Sequence, residues 1–150
     1  MAIGDTRFDH LFKRARLLKE AQAWKQAFDS ATKVQMIKWI QQDQLTDKGI
    51  DGKGIEIGNY SYATEIISRG KKQQGDHYTL NDTGEFYKSM RVEVETSLIW
   101  ITGNGQKGND NLYEKYGEDI TTLTEENINK LKAIISTKYT EYIKKILQIN

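Results

Sequence analysis

The chain reads as an α+β protein: a long N-terminal helix, continuous or broken once, a small antiparallel sheet, and a C-terminal amphipathic helix. Three observations predict this class. Apolar residues recur three or four apart from Thr6 to about Gln42 and again from Ile128 to Ile146, which is the helical period. Residues 91–102 alternate polar and apolar and then run β-branched and aromatic, as strands do. Between these segments, glycines punctuate short apolar pieces without any proline.

In the first segment, Asp5 or Thr6 is placed to cap a helix start. If continuous, the 37 positions to Gln42 would reach about 55 Å. Asp29-Ser30 offers a second capping point, so the pattern fits a kinked or broken helix equally well. Residues 1–42 then form either an arm that docks on neighbouring subunits or a core helix pair, within a single domain of residues 1–150.

Residues 43–82 are turn-and-strand territory. Asp51-Gly52 signals a turn and Gly54–Gly58 alternates like a short strand, whereas Ser61–Ser68 fits a helix or a strand. Arg69–Asp76 reads as an exposed polar loop. Asp82 followed by Glu85 has the spacing of a capping box, so a short helix is expected through Met90. Arg91–Thr96 and Ser97–Thr102 are expected to pair antiparallel, and Gly103–Asn111, with no apolar side chain, reads as a mobile loop. In the last segment Thr124 precedes Glu125-Glu126, carboxylates that the helix dipole favours in a first turn. Leu123 and Ile128 have staple spacing, and one stripe continues to Ile146. A helix over about 125–147, packed on the sheet, follows from that pattern.

Composition narrows the function classes. With 150 residues, 37% hydrophobic and 29% charged, the chain can bury a core without disulfides or a metal. The absence of cysteine removes thiol chemistry and thiolate metal sites and makes a reducing cytosol the default compartment. Apolar runs such as Leu98–Ile101 are far shorter than a membrane span, and no apolar stretch follows Met1–Asp5, so neither a membrane nor a secretory segment is expected.

Charge is unevenly placed. Residues 1–39 hold eight basic against four acidic residues, +4, which leaves 14 against 17, or −3, for the remainder. Such an asymmetry would steer the first segment, through Lys13, Arg14 and Arg16, toward an acidic protein surface or a phosphate backbone; a merely solvated basic face is the plainer account. Arg69, Lys71 and Lys72 form a second basic group, a phosphate contact or simply an exposed loop.

No constellation points to catalysis. His10 and His77 lie in separate segments, without metal-ligand spacing. Asp76-His77 has no nucleophile elbow beside it. Gly103, Gly105 and Gly108 satisfy the dinucleotide pattern formally, but no helix opens at the third glycine. A non-enzymatic chain without cofactor or metal is the expectation.

The run Leu80-Asn81-Asp82-Thr83-Gly84-Glu85-Phe86-Tyr87-Lys88-Ser89-Met90 resembles the virion-morphogenesis or tail-completion proteins of tailed phages, which build the neck between head and tail. In that family an amphipathic first helix precedes a Leu-x-x-Thr-Gly-x-aromatic/aliphatic-x-x-Ser motif, matched here by Leu80, Thr83, Gly84, Phe86 and Ser89. Lys48–Gly54 with Tyr60-Ser61 is similar to members from phages of Bacteroidetes-like hosts; the proline often found before the terminal helix is missing, with Tyr113–Gly117 nearby instead. The resemblance implies a structural protein made in the host cytoplasm and located in the virion neck. It implies a homo-oligomeric ring that contacts portal, connector or tail proteins near packaged DNA. The competing expectations are a nucleic-acid-binding module using the basic first helix and, more weakly, a small hydrolase. Phe86 is expected to anchor the motif helix in the core, with Gly84→Ala tolerated unless another chain packs there.

Overall fold

The computed structural model describes residue 11, residues 13–16, residues 18–95 and residues 98–150. The Asp5 or Thr6 cap lies outside these residues, as do His10 and the Thr96-Ser97 junction between the strands. The described chain is mixed helix and sheet, with two small antiparallel sheets and a long C-terminal helix.

A continuous N-terminal helix is not present. Helix α1 (Glu20–Ala27) ends at Phe28, whose ψ of 58° leaves the helical region, and α2 (Ser30–Lys38) restarts at once. Asp29 makes the break, because its carboxylate accepts the Thr32 N–H at 2.9 Å and so replaces a helical carbonyl with a cap. The helical path then runs past Gln42 as a π-helix, Trp39–Lys48. Its buried residues explain the widening: Trp39, Ile40, Gln44 and Leu45 recur five apart, and i→i+5 winding puts them on one face where an α-helix would splay them. Thr46 Oγ1 donates to the carbonyl of Gln41, five residues back, at 2.7 Å. Gly49 closes the segment with φ +63°, and a Cβ there would meet the His77 ring, so only glycine fits.

Residues 54–58 form no strand; Ile50–Glu56 and Asn59–His77 are isolated bridges, since the intervening glycine-rich chain keeps turning. Ser61 caps α3 (Tyr62–Ile67), which resolves the helix-or-strand ambiguity toward helix. After α4 (Glu85–Ser89), β1 (Arg91–Val94) pairs antiparallel with β2 (Ile99–Thr102), in the register Val92 to Ile101 and Val94 to Ile99. Residues 103–111 are not an unstructured loop. They hold a second hairpin, β3 (Gln106–Lys107) with β4 (Asp110–Asn111), turning at Gly108. Asn111 caps α5 (Leu112–Tyr116), a 3-10 turn covers Glu118–Thr121, and α6 (Glu125–Leu147) opens on Thr124, whose hydroxyl accepts the Asn127 N–H.

The terminal helix does not lie on the sheet. It packs mainly along α1, where Trp24 stacks on Phe28 at 5.6 Å and meets Tyr139 at 6.1 Å, while β1 backs onto α2. The aromatic face of α1 meets α6 through Trp24, whereas the apolar face of β1 is taken up by α2. Lys138 of α6 holds Asp29 at 2.5 Å and Thr32 at 2.8 Å, tying the terminal helix to the α1–α2 break. The core collects Phe28, Met36, Ile40, Leu45, Phe86, Val92 and Ile120, and Leu131, Ile135 and Tyr139 of α6 pack against it. Among the described residues no helix is long and apolar enough to cross a membrane.

Candidate functional site

The motif Leu80–Ser89 is built as a knot of local bonds. Leu80 takes a left-handed backbone, φ +54°, and Gly84 another, φ +81°, so the chain turns twice before α4 begins. The capping box does not form. Gly84 occupies the N-cap position without a side-chain bond, and Asp82 points instead at two lysines. Thr83 Oγ1 accepts the Glu85 N–H at 3.4 Å. Since Gly84 sits at positive φ, an alanine there is strained although space is open around it, so tolerance of Gly84→Ala is not expected after all.

Phe86 is buried, with its ring edge-on to Tyr113 at 6.0 Å. Ser89 Oγ donates to the Phe86 carbonyl at 2.7 Å and accepts the Asn104 N–H at 2.7 Å, which fastens α4 to the chain leaving β2. Tyr87 donates to the Thr79 carbonyl, and Gln41 donates to the Tyr87 carbonyl at 2.7 Å. Burial pushes the Tyr87 phenol up from its ordinary range. Every side chain that carries the family resemblance, apart from Leu80 on the core's margin, is therefore spent on positioning this helix.

Beside the motif lies a cleft of about 220 Å³. Tyr60, Tyr78 and Tyr116 form one wall, edge to face at 4.8 and 5.8 Å. Asp82 also lines it and binds Lys72 at 2.9 Å and Lys107 at 2.6 Å. The hydrogen bonds from Lys107 and then Lys72 hold the Asp82 carboxyl down at about 2, and the same contact raises Lys72. Lys72 also lies over the Tyr60 ring at 5.5 Å, and Lys115 over Tyr116 at 5.4 Å. One carboxylate thus clamps three segments: the 69–76 loop, the motif turn and the β3–β4 hairpin. His77 is outside the cleft, with Nε2 2.6 Å from the Thr46 carbonyl. Among the described residues no three His, Asp or Glu converge as a metal site.

The basic residues singled out by sequence separate in space. Lys72 belongs to the clamp, whereas Arg69 and Lys71 are exposed on the adjoining turn. Lys13 and Arg16 are exposed; Arg14 donates to the Leu147 carbonyl at 3.3 Å and so satisfies the C-terminal end of α6. Lys107 and the tyrosine wall carry no local signal, because 10 to 38 residues of chain separate the groups that meet.

A second surface is apolar. Trp24 and Phe28 of α1, Ile99 of β2, and Leu131, Ile135 and Tyr139 of α6 line an open groove of about 490 Å³. It continues past Ile128 into a stretch of about 690 Å³ beside Trp100, Ile101 and Leu123. Nothing among the described residues fills it. Compared with family models, with curated proteins and with solved structures, the chain has no match.

Proposed function

We propose that this chain is a non-enzymatic structural protein of a tailed-phage virion that assembles as a homo-oligomeric ring at the head-tail junction. The observation that carries the reading is the motif Leu80, Thr83, Gly84, Phe86 and Ser89, which resembles the neck family and here works as a structural fastener. Its hydroxyls, on Thr83 and Ser89, bond to the local backbone. The long apolar groove supports the same reading, since a surface of that chemistry favours a protein partner. The clamp at Asp82 agrees with it, since it ties three surface segments together through Lys72 and Lys107.

The nucleic-acid alternative leaned on the basic first segment, and Arg14 is drawn from it into the monomer's own α6 terminus. Sedimentation over a range of concentrations, paired with retention on duplex DNA, separates the readings. Concentration-dependent assembly without salt-dependent DNA retention agrees with the ring; a monomer retained on DNA with a steep salt dependence contradicts it.

A further inference from the structure

We propose that α3 of one subunit docks, through Tyr62, Ile66 and Ile67, into the apolar groove between α1 and α6 of a second copy. This deepens the reading above and rests on its self-association, but it concerns one named contact. The three side chains stand on a short helix capped by Ser61 and are 61%, 60% and 83% exposed, which is unusual for two isoleucines and a tyrosine placed together. None of them lines the groove of its own chain, and none of the groove residues lies on α3. One chain therefore carries both an apolar projection and an apolar recess, on different surfaces. That is the requirement for a head-to-tail contact, which repeats by rotation into a ring where the angle closes.

Charge fixes the direction of docking. Arg69 and Lys71 follow directly on α3 and are exposed, and Glu118 lines the far end of the groove. Among the described residues none of these three is in an ion pair. Docking with the C-terminal end of α3 toward the 3-10 turn brings the two cations to the carboxylate, and places the Tyr62 end near Trp24 and Tyr139.

The chain has no cysteine, so introduced thiols report contacts without background. Ile67→Cys and Ser136→Cys are exposed changes on the projection and the groove lip; the two purified full-length variants are mixed and treated with a short bis-maleimide. A covalent dimer in the mixture, absent from either variant alone, is the expected result. Linkage of Ser136→Cys to itself would indicate a two-fold, groove-to-groove contact and overturn the proposal. So would the absence of any mixed product at concentrations where the protein is oligomeric or at the highest concentration reached. In parallel, Ile67→Asp, which presents a charge to the apolar recess, is expected to weaken self-association at least about a hundredfold with an unchanged melting curve. Unchanged association would overturn the contact. Presence or absence of the chain in virions is a separate measurement, so the failure of this contact and of the neck reading are distinguishable.

Discussion

Gln44 Oε1 accepts a hydrogen bond of 3.1 Å from Asn127 Nδ2, 83 residues further along the chain. The same oxygen accepts the Thr124 N–H at 2.9 Å, and Gln44 Nε2 donates to the Thr122 carbonyl at 2.8 Å. Both side chains are buried, and one carboxamide satisfies the entry to α6. It also explains why the π-helix is kept, because that winding turns Gln44 inward beside Ile40 and Leu45.

Replacing Gln44 with leucine keeps the volume but takes away the partner of the half-buried Thr124 N–H, the buried Asn127 amide and the Thr122 carbonyl. The variant is expected to lose about 3 kcal/mol or more, measured by urea unfolding at neutral pH. A loss under about 1 kcal/mol would mean that the network contributes little beyond packing.

Phe86→Ala removes the anchor of the motif helix and is expected to cost about 3–5 kcal/mol. Gly84→Ala is expected to cost about 1–2 kcal/mol through backbone strain alone, since its neighbours leave room for a methyl group. Equal melting curves for Phe86→Ala and the parent would reject the anchor.

The acid limb of stability should carry two named carboxylates. Hydrogen bonds from Lys138, then from Thr32, bring Asp29 from 3.8 to about 2, and Lys107 and Lys72 do the same for Asp82. Both are lowered in the folded state, so their contributions are complete above the unfolded value near 3.8 and are lost as pH falls through about 2. Asp29→Asn and Asp82→Asn are expected to unfold at lower urea than the parent at pH 6, with the gap closing toward pH 2. Both side chains are close to half exposed, so added salt should narrow the gap at pH 6. A gap constant across that pH range would assign the loss to packing.

Within the first segment, Lys13 and Arg16 separate from Arg14. Reversing the first two is expected to leave the melting curve within about 0.5 kcal/mol of the parent and to weaken assembly. Arg14→Glu is expected to lower stability by about 0.5–1 kcal/mol, because it places a negative charge at the carbonyl end of α6. Assembly unchanged in concentration and salt dependence after reversing Lys13 and Arg16 would remove this segment from the interface.

What the sequence discloses and what it hides divide along range. Helix α6 is legible because its cap, its acidic first turn and its stripe all lie within 23 consecutive residues. The β1–β2 pair and the capping role of Asp29 are likewise local. The capping-box reading of Asp82 fails for a complementary reason: Lys72 and Lys107, 10 and 25 residues away, compete for the carboxylate and win it, and Gly84 at positive φ starts the helix without it. The packing of α6 on α1 and the Gln44–Asn127 bond carry no local signature at all. The hairpin inside 103–111 is hidden because its strands are two polar residues each, held by backbone bonds and by the side chains of Asn104 and Gln106.

The proposed neck assignment is tested most directly by cryo-electron microscopy of virus particles produced from the genome that encodes this chain. The account predicts a ring of this fold between portal and tail, with α6 and the β1–β2 hairpin traceable in each subunit. A particle whose neck is fully traced without this chain would contradict it.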